Sequence, residues 1–185
     1  MSPESFARGW DAARDWSAWF ETVEDKRDIW ESNLRRAAVG QAEARRLDDL
    51  PGPRRVLVLV EDWCGDAARS VPAIIAALKD RPDIALRLLD TDDHPELLDE
   101  HLTHGGRAIP LALVADGEGR PLGLWGPRPA PLQALLRQQK AEQGPPTAET
   151  KGSWYAPIMA WYAQDKGVTT LQELLMVLER GGEPR

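Results

Sequence analysis

Residues 54–72 read Arg54-Arg55-Val56-Leu57-Val58-Leu59-Val60-Glu61-Asp62-Trp63-Cys64-Gly65-Asp66-Ala67-Ala68-Arg69-Ser70-Val71-Pro72. Val56 to Val60 is a short apolar, β-branched run of the kind that fills a strand buried on both faces. From Asp66 to Leu78 the pattern turns helical. Glu61 to Ala67 therefore falls where a buried strand ends and a helix begins. A sulfur at that junction lies at the positive end of a helix dipole, where backbone N–H groups of the first turn favour a thiolate. Elsewhere a lone cysteine is commonly a small buried hydrophobe, and its place at this junction is what turns the reading toward a nucleophile.

Working outward, Ile84–Leu89 is a second strand, Pro95–Leu102 a second helix and Leu111–Ala115 a third strand. Asp116-Gly117-Glu118-Gly119 turns the chain into Pro121–Trp125, so these last two strands should form an antiparallel hairpin. The order is β-α-β-α-β-β, with right-handed crossovers for the parallel pairs. A helix over Pro131–Gln143 stops at Gly144-Pro145-Pro146. Two more close the chain: one with Trp154, Ile158 and Trp161 or Tyr162 on a face and Gly167 as its stop, and one with Leu171, Leu174, Leu175 and Leu178 inward, opened by a capping box over Thr170-Leu171-Gln172-Glu173. Upstream, Phe6, Trp10, Ala13, Trp16, Phe20 and Val23 share one helical face, capped by Ser2 or Ser5. Helical stretches over Lys26–Val39 and Gly40–Leu50 follow, and Pro51-Gly52-Pro53 ends them.

The 185 residues carry 30 acidic and 23 basic side chains, a net charge of −7. That field repels phosphate backbones and anionic lipid, so neither nucleic acid nor a membrane is an expected partner. The longest apolar runs, Val56–Val60 and Ala73–Leu78, fall far short of the ~20 residues that span a bilayer. Glu4, Arg8, Asp11, Arg14 and Asp15 interrupt the first twenty residues, unlike a secretory signal, and the expected location is cytoplasmic. The single cysteine permits no disulfide within the chain and no Cys₄ or Cys₂His₂ metal framework, so any redox chemistry is intermolecular. Asp90, Asp92 and Asp93 open like a calcium loop, but Pro95 stands where such a loop needs Gly and His101 where it needs Glu. His94, His101 and His104 read as surface residues near a helix end. No metal and no cofactor is expected.

The segment resembles the thioredoxin superfamily at several separated places. Trp63-Cys64-Gly65 matches the opening of that family's W-C-G-P-C motif, and Pro72 coincides with the proline of its active-site helix. Leu89-Asp90-Thr91-Asp92 resembles its second parallel strand and acidic turn. Gly106-Arg107-Ala108-Ile109-Pro110 is similar to its G-x-x-I-P segment, whose proline is cis, and Asp116–Glu118 with Gly123–Gly126 completes the hairpin. A cis Ile109–Pro110 bond would aim backbone groups of Ile109 at the cysteine, where an extended peptide can pair; the alternative is an ordinary proline opening a strand. With the helical preface and the Trp- and Tyr-rich tail, the E-D-W-C-G-D string further resembles a bacterial branch of thioredoxin-like proteins. The resemblance implies an α/β thioredoxin-like fold, a central mixed sheet of about four strands flanked by helices. It also implies one domain over 1–185: a helical N-terminal extension (1–50), a thioredoxin-like core (54–140) and a helical C-terminal extension (147–180).

The departures from the family are as informative. Ala67 stands where thioredoxin has its resolving cysteine, Asp66 replaces the motif proline, and Val58 occupies the place of the buried acid. Asp66 is read either as the helix N-cap or as a substitute proton acceptor beside the sulfur. Its charge disfavours a thiolate, and Arg69 and Arg107 would counter it if they fold close by. The expected catalytic residues are Cys64, Asp66 and Trp63, and the expected substrate-binding residues Gly65, Ile109, Pro110 and Arg107. Trp63, with an exposed subset of Trp16, Trp19 or Trp154, is a candidate partner surface. The function expected is monothiol thiol–disulfide exchange with a protein or low-molecular-weight thiol or disulfide, through a mixed disulfide that an external thiol resolves. The alternative is a redox-inactive thioredoxin-fold module that binds a partner protein or peptide. The sequence sets no oligomeric state.

Overall fold

The structure is a computed structural model that describes residues 1–180. Its chain order is α1 (Pro3–Ala12), β1 (Arg14–Asp15), α2 (Trp16–Glu21), α3 (Arg27–Arg36), α4 (Gln41–Asp48), β2 (Arg54–Val60), α5 (Ala67–Leu78), β3 (Ile84–Asp90), α6 (Pro95–Asp99), β4 (Leu111–Asp116), β5 (Pro121–Trp125), α7 (Ala130–Gln143), α8 (Lys151–Asp165) and α9 (Val168–Leu178). A mixed five-stranded sheet runs β1-β3-β2-β4-β5. β2 pairs parallel with β3 and antiparallel with β4, which forms the hairpin with β5. This is the expected thioredoxin-like fold, with one strand more than the four read from the sequence.

The extra strand comes from the first helical stretch. The spacing of Phe6 through Val23 suggests one continuous face, yet the helix stops at Ala12 and Arg14–Asp15 pairs antiparallel with the edge of β3. Asp90 at the end of β3 accepts a hydrogen bond from the Trp19 indole at 2.7 Å and ion-pairs with Arg14. The unpaired edge of β3 and this carboxylate together outcompete helix continuation, a tertiary effect that periodicity does not record.

Alternate residues of β2 point to opposite faces. Val56, Val58 and Val60 join Val71, Ile74, Ile75 and Leu78 of α5, Trp30 of α3 and Leu174, Leu175 and Leu178 of α9. Leu57 and Leu59 meet Phe6 and Trp10 of α1 and Leu97 and Leu98 of α6 on the other face. Every residue from Val56 to Val60 is inaccessible, each contributing about 1.5–3 kcal/mol on burial. Gly9 allows α1 to ride this close: a Cβ there would sit 2.9 Å from Leu57 Cδ2. A third cluster joins α7 and α8 through Leu132, Trp154, Ile158 and Tyr162.

Other expectations are corrected by partners distant in sequence. Glu173 does not close a capping box; its carboxylate accepts from the Trp125 indole and the Ala130 amide, while Asp165 receives the Thr169 amide near the start of α9. His101 is buried rather than at the surface. Trp19 and Trp154 lie in the interior and Trp16 is partly covered; of the eight tryptophans only Trp63 is largely open to solvent, at 48%. No helix among the described residues is long and apolar enough to cross a membrane.

Candidate functional site

Cys64 lies in the short turn between β2 and α5, its amide bonded to the Glu61 carbonyl. The Ile109–Pro110 peptide is cis, and the Ile109 carbonyl lies 3.6 Å from Cys64 Sγ. The Ala67 amide, in the first turn of α5, points at the same sulfur from 3.5 Å. Gly126, at φ +123°, packs under Pro110, where a Cβ would approach the Pro110 carbonyl to 2.2 Å. Cys64, Ile109 and Pro110 are thus brought together from segments 45 residues apart.

Cys64 is 7% exposed. Burial pushes its thiol up, the Ala67 amide pulls it down, Asp66 pushes it up again, and Arg128 pulls it down; the net direction is upward. The Ala67 amide of α5 favours the thiolate, but desolvation of the charged sulfur outweighs it.

Every polar member of the E-D-W-C-G-D string ties the loop to another part of the chain. Glu61, itself buried, accepts at one oxygen from the Thr91 amide (2.5 Å), the Thr91 hydroxyl (2.8 Å) and the Asp92 amide (2.8 Å), holding the turn after β3. The Asp62 carboxylate receives the Glu24 and Asp25 amides between α2 and α3, and its carbonyl receives the Trp30 indole. The Gly65 carbonyl accepts from Arg69 at 2.7 Å.

Asp66 requires a correction. It occupies the N-cap position of α5 but its side chain makes no capping bond, because its own backbone is already helical (φ −74°, ψ −40°). One carboxylate oxygen accepts from Tyr162 of α8 at 2.8 Å and the other ion-pairs with Arg128. With both oxygens engaged, Asp66 links the loop to α8 and to the connection between β5 and α7. Burial, with Asp66 second, holds the Tyr162 hydroxyl strongly in its protonated form. Arg107 is corrected as the counter-charge. It is exposed and bound in a fork to Asp99, with both N–H to O distances at 2.7 Å; the cation acting on Cys64 is Arg128. Sequence reasoning missed Arg128 and Tyr162. Their only local signals were an arginine locked between Pro127 and Pro129, and a tyrosine on the inward face of an aromatic-rich helix.

A groove of about 430 Å³ bordered by Trp63, Thr91, Asp92, Leu98, Arg107 and Ile109 adjoins the Cys64 turn through Trp63 and Ile109, and Cys64 itself does not line it. Of the expected binding residues, Arg107 and Ile109 line it, as does Trp63. Val58 is enclosed by Leu88 and Ala112 on the neighbouring strands and places no proton acceptor behind the sulfur. Among the described residues no three His, Cys, Asp or Glu side chains gather as a metal site.

A family model described as thioredoxin matches residues 13–142. Two solved structures align with 97% of this chain over 98% of their own: a protein of unknown function from Pseudomonas aeruginosa, at 23% identity and TM-score 0.71, and an HIV epitope-scaffold, at 21% and 0.73. At those identities they speak to the fold alone. No curated protein matches the chain.

Proposed function

The chain belongs to the thioredoxin family, and on that footing we propose that it exchanges disulfides through one sulfur, Cys64, with a partner laid along the groove beside Ile109. The observation that carries this reading is the approach of Cys64 Sγ to the Ile109 carbonyl at 3.6 Å, next to that groove and to the exposed Trp63. An extended partner chain pairs with the Ile109 backbone and presents its disulfide to the sulfur. Cys64 gives its proton to solvent and attacks one sulfur of the partner disulfide; a Cys64–partner bond forms, and the other sulfur leaves as a thiolate that takes up a proton. An external thiol then attacks the partner's sulfur in the mixed disulfide, and Cys64 returns as a thiol. The chain undergoes no net oxidation.

Desolvation sets the tempo of both steps. A thiol pushed above its ordinary value is mostly protonated near neutrality, so capture is slow. The same property makes Cys64 a poor leaving group, and Ala67, fully buried, offers no internal thiol, so the mixed disulfide persists until another molecule resolves it. A second reading, a redox-inactive module that binds a partner protein or peptide in the groove, is favoured by the burial of Cys64.

The two readings separate on reaction with Ellman's disulfide at about pH 8.5, followed by intact mass, with Cys64→Ser as control. The first expects one adduct per wild-type chain, formed more slowly than on a free model thiol, none on the variant, and release on adding free cysteine. A folded protein that stays unmodified while the urea-unfolded chain reacts fully overturns it and leaves the binding module.

A further inference from the structure

Away from the groove, α3, α5 and α8 enclose a cleft of about 550 Å³, within the size range of small-molecule sites. Its charge runs against that of the molecule. On a chain of net charge −7, four cations line it, Arg35 and Arg36 from α3, Arg69 from α5 and Lys166 at the end of α8, against a single acid, Asp28.

These cations are only partly engaged within the protein. Arg36 folds back on the Ser32 carbonyl and hydroxyl, and Arg69 donates to the Gly65 carbonyl while its guanidinium lies 6.0 Å from the Tyr162 ring centre. Neither bonds a carboxylate in these contacts. Arg35 shares Glu31 with Arg27, and Asp165, next to Lys166, is turned toward the amides of Gly167 and Thr169. The cleft thus keeps an excess of positive charge over an apolar floor of Ile29, Pro72, Met159 and the Tyr162 ring. Guanidinium forks match the oxygens of a phosphate, and a ring or short apolar body suits the floor.

We propose that this cleft is a second binding site, for a small organic phosphate with an apolar body, held by Arg36, Arg69 and Lys166. The proposal does not rest on the Cys64 chemistry, although Arg69 and Tyr162 also bond the Gly65 carbonyl and the Asp66 carboxylate of the Cys64 loop.

The experiment is calorimetric titration of the full chain with phenyl phosphate, alongside inorganic phosphate and phenol. Binding of phenyl phosphate is expected, tighter than either fragment, and weakening several-fold as ionic strength rises from ~0.01 to ~0.15 M and the screening length contracts. Arg36→Gln and Lys166→Asn should each weaken it on the order of tenfold, the loss of one charge-assisted contact. Both side chains are exposed, and Asn tolerates the left-handed backbone at Lys166 (φ +55°), so the fold is retained. Cys64→Ser should bind as wild type. Affinity indifferent to salt, unchanged in both variants, equal for inorganic phosphate, or no heat with phenyl phosphate overturns the proposal.

Discussion

Replacing Glu61 with alanine should be among the most damaging single changes available to this protein, although Glu61 is an acid beside the Cys64 turn. One of its oxygens is the acceptor for three donors of the Thr91–Asp92 turn. Glu61 is 6% and Thr91 4% exposed, so water does not readily replace the lost acceptor for the two Thr91 donors, while the exposed Asp92 reaches it more easily. A hydrogen bond to a charged group contributes about 1.5–3 kcal/mol, so Glu61→Ala should cost roughly 3–6 kcal/mol from the two Thr91 bonds alone. That is a large share of the ~5–15 kcal/mol that holds a domain folded, and for a chain of this size it lowers Tm by roughly 6–24 °C. Glu61→Gln keeps one acceptor oxygen in place, losing the charge and turning the second oxygen into an NH2 donor, so roughly 1–3 kcal/mol is expected. Urea unfolding followed by tryptophan fluorescence and circular dichroism gives both values. Glu61→Ala within about 1 kcal/mol of wild type at an unchanged denaturant slope, or Glu61→Gln as harmful as Glu61→Ala, would refute the reasoning.

Three further outcomes follow from the same contacts. Tyr162→Phe removes the 2.8 Å bond to Asp66 and should cost about 1.5–3 kcal/mol, with faster proteolysis in the 144–150 connection; a melting curve identical to wild type would mean that α8 is held by its apolar face alone. Asp66→Asn should lower the Cys64 thiol pKa and speed its alkylation at neutral pH, while Arg128→Gln should do the opposite, since these charges act on the sulfur in opposite directions; because burial raises the folded thiol above its unfolded value, Cys64 contributes stability below the ordinary thiol pKa of ~8.5 that is lost as pH rises through the folded value, and Cys64→Ser should flatten that alkaline limb. Ala67→Cys, at about 1–3 kcal/mol of overpacking in a fully buried position, should yield on oxidation a chain two hydrogens lighter without a free thiol, and with a dithiol reductant should reduce a disulfide substrate faster than the wild type, an equal rate counting against the reasoning.

The sequence alone determined the succession of strands and helices from β2 to β5, the closing hairpin, the strand-to-helix turn that carries Cys64 and the absence of a cysteine at position 67, and the resemblance pointed to the approach of Ile109–Pro110. These are legible because alternation, apolar runs and turn residues act over a few positions, and because the resemblance reaches across separated motifs. Tertiary structure decided what the charges do. Asp66 looks like a cap when only its neighbours are considered, but Tyr162, 96 residues away, and Arg128 claim both of its oxygens. Glu173 likewise forsakes its local amides for Trp125 and Ala130, and the first helix breaks because β3 offers an open edge and Asp90 an acceptor. The Cys64 thiol shifts upward only once packing removes water from the sulfur. Local pattern governs where a backbone bends, since those preferences are carried by adjacent residues; a side chain's partner and its protonation depend on which distant groups displace solvent around it, and that is settled only when the chain is packed.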